Sequence, residues 1–268
     1  MFNKIKQIKS ISIINHKSIS AINNSGLLKS VKTKNNNSKY NLIIICTGNN
    51  STLVKNLFND QAIESSYKET SITTILKHSI FKNNTVRQFF LDNEILALLP
   101  ISNTRTSIVW SVKKEIKKNN LFVKKKIKFY TKNYLQNIKF TTDIKYKDLN
   151  FLLRSKYYQD RILLFGDALH MLHPFVGQGF NMTLRDLVSL EKILSEKINL
   201  GLDIGSLDVL SEFSSITKPR NFAFSASVDL LKNSLSLKKL RNYMLKILNG
   251  NNFIKDVFFN IADKGFKF

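Results

Sequence analysis

The chain has 268 residues, 43% of them apolar, enough for one large core or two modest ones, which excludes a disordered tail or a small stapled module. Lys and Arg number 42 against 19 Asp and Glu, a formal charge of +23, which points first to a nucleic acid or an anionic membrane. Only seven of the 42 are Arg, however, and the remaining 35 Lys sit in a chain equally rich in Asn and Ile. That is the composition an A/T-rich genome writes at permissive positions, so most of the charge reads as solvated background.

Nine glycines are about half the usual share of ~7%, so those present mark positions that need them. There is no G-x-G-x-x-G and no G-x-x-x-x-G-K-[ST], hence no complete dinucleotide fingerprint and no P-loop. A single Cys46 excludes an internal disulfide and a Cys-rich metal site. No apolar run approaches the roughly 20 residues that span a bilayer. The basic start, Met1-Phe-Asn-Lys-Ile-Lys, lacks the apolar stretch of a secretory leader.

In chain order, the Ile-rich alternation of 5–15 predicts a strand, Asn23 to Gly26 a turn, 27–34 a second strand and 34–38 another turn, together a small β-meander. Residues 42–46 predict a buried strand that stops at Thr47-Gly48, with a helix opening over 52–58. Stretches at 70–77, 84–91, 95–100 and 106–112 have the spacing of an antiparallel sheet. The Lys-rich segment 113–140 keeps recurring apolar residues and predicts amphipathic helices with a solvated face. Strands follow at 141–153 and 161–165, and everything after Gln178 is helical in pattern.

The segment from Arg161 to Asp186 carries the chemistry. An apolar strand stops at Gly166, and Asp167 stands at its carboxyl end, where open α/β sheets bind ligands and an acid accepts from a ribose hydroxyl. His173-Pro174 and Gly177-Gln178-Gly179 lead into a helix, and glycines at a helix start leave N–H groups free to face an anion. The competing readings are plainer: Asp167 as a turn residue, His170 and His173 as packing or capping groups rather than metal ligands, Arg185-Asp186 as a helix-surface pair and Trp110 as core.

In order and spacing, Gly166-Asp167-Ala168, His170, His173-Pro174, Gly177-Gln178-Gly179, Asn181 and Arg185-Asp186 resemble the G-D-A-x-H…H-P…G-Q-G-x-N…R-D segment of FAD-dependent aromatic monooxygenases. The ubiquinone-biosynthesis branch, the 2-polyprenylphenol hydroxylases, is the nearest likeness. It extends through Asn41 to Ser51, which resembles the family's second flavin motif, and through Phe89-Phe90, Leu96 to Pro100, Ser107 to Trp110, Lys218-Pro219-Arg220, Asp229 and Ala262 to Gly265.

The fold this implies is α/β with an α+β admixture. It is a para-hydroxybenzoate-hydroxylase-like FAD domain, truncated at its N-terminus, with an inserted antiparallel substrate sheet and C-terminal helices. The expected organisation is 1–58 FAD-domain remnant, 59–153 substrate domain, 154–200 flavin-contacting segment and 201–268 helical region.

By the same resemblance, Asp167 binds ribose or ribityl hydroxyls, with Gly166 and Gly48 allowing close backbone approach. Pro174 lies near the reactive edge of the flavin. Gly177, Gln178 and Gly179 face the pyrimidine end, and Asn181 its carbonyl edge; Pro174 and Gln178 are the residues expected beside the chemistry.

The implied activity is hydroxylation of a polyprenylated phenol by O2 through a flavin C4a-hydroperoxide, with FAD as cofactor and NAD(P)H as electron donor. Implied partners are the membrane periphery and other proteins of the ubiquinone pathway, but no nucleic acid; the segment 230–248 by itself predicts a basic amphipathic helix that either packs on the body or lies on an anionic membrane. The implied place is the cytoplasm, against the inner face of the membrane.

Two departures bear on this. Thr47 stands where the family's second flavin motif has Asp, and the chain begins about a hundred residues into the family pattern, past the βαβ unit that holds the pyrophosphate. The alternative expectation is therefore a truncated or split remnant acting as an interaction protein. A basic nucleic-acid binder ranks last, and a flavin halogenase is disfavoured by the single Trp.

Overall fold

The computed structural model describes residues 2–15, 18–34, 36–48, 51–58, 62–91, 94–115, 119–174 and 177–236, with isolated positions 246, 250 and 256. In chain order the elements are α1 (Phe2–Ile5), β1 (Ile19–Ser25), β2 (Leu28–Thr33), β3 (Asn36–Tyr40), β4 (Ile43–Ile45), α2 (Thr52–Phe58) and β5 (Ala62–Lys77). Then come β6 (Arg87–Leu91), β7 (Glu94–Ser102), β8 (Arg105–Lys113), α3 (Asn120–Thr131), β9 (Lys139–Phe140) and β10 (Lys145–Arg154). The last are β11 (Tyr158–Gln159), β12 (Ile162–Leu164), β13 (His170–Met171), α4 (Gly179–Asn199) and α5 (Leu207–Ser236).

The chain divides into two compact units. The first comprises Met1–Gln61, Ser155–Leu169 and Arg185–Lys218. Its meander β1-β2-β3 is antiparallel, and a second small sheet runs β11-β12-β4, with β12 and β4 parallel. All three residues of β12 are buried, as parallel strands covered on both faces require. They join Ile45, Val54, Phe58, Tyr157, Phe165, Ile193, Leu210 and Phe213 in one core. Arg161 forks onto Asp203 (2.8 and 2.5 Å) and donates to the Asn41 carbonyl at 3.1 Å, which ties the loop after α4 to the entry of β4.

The second unit comprises Ala62–Arg154, His170–Leu184 and Pro219–Phe268. Its antiparallel sheet runs β13-β10-β5-β8-β7-β6, with β9 paired to β5. Period-two alternation buries Leu96 and Leu98 on β7 and Ile108, Trp110 and Val112 on β8. Helix α3 lays Val123 and Ile127, four residues apart, into the same core, and Asn119 caps it by accepting from the Leu121 and Phe122 amides at 2.9 and 3.2 Å.

The structure departs from the sequence expectation at the front. Residues 5–15 are not a strand: after α1 the chain makes successive i to i+3 turns through Gln7, Ile8 and Ile11. The alternation is there, but among the described residues no strand pairs with it, and Ile8, Ile11 and Ile14 stay exposed. The meander instead starts at Ile19, and its first turn is Gly26-Leu27, with Gly26 at φ +63°. Asn23, Asn24 and Asn36 to Ser38, read as turns, are strand residues, because a meander this exposed tolerates polar side chains.

Most of the basic segment 230–248 lies outside the described residues, as do Asn49 and Asn50. Among the described residues no helix is long and apolar enough to cross a membrane.

Candidate functional site

In the first unit, Gly48 and Gly166 follow the carboxyl ends of neighbouring parallel strands, held level by the Phe165 amide donating to the Ile45 carbonyl at 3.0 Å. Both take left-handed backbone, φ +79° and +62°, which is why glycine stands there. Gly166 opens a 3-10 turn, closed by the Leu169 amide on its carbonyl at 2.8 Å, and this leaves Asp167 exposed beyond the strand end. A solvent-facing carboxylate past the carboxyl edge of parallel strands is where such sheets meet a hydroxylated ligand.

The Arg185-Asp186 pair is not a surface pair: Asp186 is only 2% exposed. Burial pulls the Arg185 guanidinium down while neighbouring Asp186 opposes it.

In the second unit, β13 pairs with β10 and delivers the chain to Leu172-His173-Pro174. The Gly177 amide returns to the Pro174 carbonyl at 3.0 Å, with Gly177 at φ +64°, and α4 starts two residues later. The turn thereby brings Pro174, Gly177, Gln178 and Asn181 together, and Asn181 Nδ2 donates to Gln178 Oε1 at 3.0 Å. No acidic residue lies in the first turn of α4. A Cβ placed on Gly177 or Gly179 would meet no atom of the described residues within 4 Å, so among those residues a planar ligand has room at this end of a 21-residue helix. Leu172 and Met182 flank the turn and pack with Phe224, Val228, Phe90 and Ile95.

Beneath the turn His173 and Asp229, both named by the resemblance, meet Tyr67, Glu69 and Lys232, which reading the sequence missed. His173 is fully buried, and its Nε2 lies 2.7 Å from Glu69 Oε2. The other carboxylate oxygen of Glu69 accepts from Lys232 Nζ at 2.9 Å. Lys232 also sits 4.0 Å over the ring of Tyr67, whose hydroxyl donates to Asp229 at 2.8 Å and accepts from the His173 amide. The Tyr67 ring meets the His173 imidazole edge-on, centroids 4.8 Å apart.

Burial alone would raise the Glu69 carboxyl, but the donors His173 and Lys232 outweigh it and hold it below the usual carboxylate range. Burial first, and then Asp229, pushes the Tyr67 phenol well above its ordinary value. Only spacing could have flagged Tyr67, Glu69 and Lys232: the first two are two apart on a strand, and Lys232 is three from Asp229 on a helix.

The sequence model of the squalene epoxidase family, a family of FAD-dependent monooxygenases, matches residues 39–251, most of the chain. The chain belongs to the squalene epoxidase family. Among curated relatives, the Dictyostelium discoideum protein "Ubiquinone biosynthesis monooxygenase COQ6, mitochondrial" is 24% identical over 98% of this chain and 65% of its own length. The human protein of that name is 28% identical over 83% and 57%. "Ubiquinone hydroxylase UbiL" of Rhodospirillum rubrum is 27% identical over 62% and 40%.

Of solved structures, the Diels-Alderase PyrE3 is similar at TM-score 0.73 and 15% identity, over 94% of this chain and 56% of its own. Klebsiella pneumoniae HpxO complexed with FAD and uric acid is similar at TM-score 0.71 and 14% identity, over 92% and 65%. These bear out the expected monooxygenase fold, and the curated names bear out the ubiquinone-branch resemblance. This member of the squalene epoxidase family spans 40–65% of the length of the three curated relatives named.

Proposed function

We propose that this chain is the substrate-binding and flavin-contacting part of an FAD-dependent monooxygenase that hydroxylates the ring of a polyprenylated phenol, a ubiquinone precursor. The observation that carries the reading is the His173 to Gly179 turn. An open, acid-free start of a long helix, with Gly177 in left-handed backbone and space at both glycines, fits the electron-rich pyrimidine edge of an isoalloxazine.

In this reading the backbone of Gly177, Gln178 and Gly179 faces that edge, where the Gln178 and Gly179 amides stabilise charge while the Gly177 amide stays on the Pro174 carbonyl, with Asn181 beside it. Pro174 packs near the reacting edge, and Asp167 takes ribityl or ribose hydroxyls past Gly166 and Gly48. The bound flavin supplies oxygen activation with electrons from NAD(P)H; the protein orients the phenol and keeps water out. Thr47 cannot supply the carboxylate of the second flavin motif.

Riboflavin and FAD titrated into the purified chain, followed by flavin fluorescence, test this. With no G-x-G-x-x-G in the chain, the two should bind with comparable and modest affinity, within about threefold, because pyrophosphate contacts add nothing. Gly177→Val should weaken both by about tenfold through its left-handed backbone and added bulk. Absence of saturable binding by either flavin overturns the reading in favour of a remnant acting as an interaction protein.

Peripheral membrane contact is part of the proposal and is supported by the outer face of α3. There Leu121, Phe122 and Phe129 are exposed among Lys124, Lys125, Lys128 and Lys132, a basic and aromatic mixture suited to an anionic interface. Co-sedimentation with phosphatidylglycerol vesicles should fall when Phe122 and Phe129 are both changed to Ser; no lipid dependence in the parent overturns this part.

A further inference from the structure

The half-buried polar set around the buried His173 has no role in the reading above, although it rests against the segment on which that reading depends. Its members come from three places: Tyr67 and Glu69 on β5, Asp229 and Lys232 on α5, and His173 in the loop. Each grips the loop differently. Glu69 holds the imidazole nitrogen at 2.7 Å, the Tyr67 ring packs edge-on against the imidazole, and the Tyr67 hydroxyl takes the backbone amide of His173. Lys232 and Asp229 in turn fix Glu69 and Tyr67 at 2.9 and 2.8 Å.

The backbone of β5 is bent to make this possible. Its register against β10 shifts between Leu149 opposite Glu69 and Asn150 opposite Ser66, so Tyr67 and Lys68 form a bulge, and Lys68 sits at φ +53°. A left-handed lysine inside a strand is costly and is kept only where neighbours over-determine it. Bulges of this kind re-aim side chains next to functional sites. Here the bulge falls in the three-residue stretch that supplies both β5 members of the set.

We infer that Glu69 is a positioning residue: with Lys232, Tyr67 and Asp229 it locks His173, and thereby sets the Pro174 to Gly179 backbone that receives the flavin. This rests on the flavin reading for its ligand, but the lock itself is a claim about the turn. Glu69 touches no reacting atom; it acts through His173, one residue before Pro174. A carboxylate suits the task because each of its two oxygens serves a different donor, one on the loop and one on α5.

The test is amide hydrogen exchange and riboflavin titration on the full chain with Glu69→Ala, Glu69→Gln and Lys232→Met. Glu69→Ala should speed exchange at the Gly177 and Met182 amides, which are bonded to Pro174 and Gln178, by at least about tenfold, with the core-strand amide of Ile72 unchanged. It should also weaken riboflavin by about fivefold or more. Glu69→Gln keeps an acceptor oxygen for one of the two donors but turns an amide N–H toward the other, so it should restore only part of each loss. Lys232→Met should fall between.

Unchanged exchange at Gly177 and Met182 in Glu69→Ala overturns the proposal. So does acceleration that Ile72 shares equally, since that is general loss of stability, and so does failure of Gln to rescue. If exchange responds as expected while the parent binds no riboflavin, the lock stands and the flavin reading fails. The two are therefore separable.

Discussion

Glu69 shows how one side chain couples stability to pH. Its carboxyl is held below the ordinary range in the fold and returns to about 4.3 on unfolding. Its stabilising contribution is thus complete above that unfolded value and is lost as pH falls through the folded one. The expected outcome is that Glu69→Gln flattens the fall in unfolding free energy as pH drops below about 4.3, measured by urea titration at each pH.

Lys68 gives a second test at this scale. Glycine at its φ of +53° relieves the left-handed cost, so Lys68→Gly should raise stability by about 1 kcal/mol in the same assay. Gly205 gives the opposite sign. A Cβ there would lie 1.9 Å from the Asn41 carbonyl oxygen and 2.6 Å from Arg161 Nη1. The nearer obstacle is backbone, so Gly205→Ala should destabilise by about 1–3 kcal/mol or more by chemical denaturation.

At the scale of elements, legibility followed burial. Strands β7 and β8 and helix α2 were predicted close to where they stand, because alternating or continuous apolar runs there face a real core, whereas β5 was predicted only from residue 70 and its mostly exposed first half, 62–69, was not read as strand. The run at 5–15 has the same alternation and no partner strand among the described residues, and it turns instead. Of the segment 113–140, expected as amphipathic helices, only Asn120–Thr131 is described as helix and Lys139–Phe140 pairs with β5 as strand; periodicity could not show that the buried stripe of α3 is as narrow as Val123, Ile127 and Thr131. Val123→Ala removes a fully buried side chain from that stripe and should cost roughly 1–3 kcal/mol, read as a lower urea midpoint with unchanged slope. Because the other face of α3 carries Lys and exposed aromatics, this loss belongs to the core and should not alter vesicle binding.

Across the whole molecule, +23 is a physical load whatever its origin in codon usage. Like charges on a compact body repel, and salt screens them over about 10 Å at 0.1 M. Thermal unfolding should therefore shift upward by a few degrees between about 10 and 200 mM NaCl, the reverse of what a fold held by surface ion pairs would show. Family membership was legible for a related reason. The G-D-A to R-D segment is a local string whose spacing survives when most exposed positions drift toward Lys and Asn.

What the sequence determined by itself was local chemistry. Glycines at 48, 166 and 177 were called for by backbone that side chains resist, and all three take positive φ. The apolar strand before Asp167 and the helix after Gly179 follow from pattern alone. What only the tertiary structure decided was the lock on His173. Tyr67 and Asp229, bonded to each other, stand 162 residues apart in the chain, and a lone Glu in a strand or a Lys on a helix reads as solvated until the fold closes. Their meaning comes from a half-buried site around His173 in which donors and acceptors pair across the fold, and no linear pattern encodes that requirement.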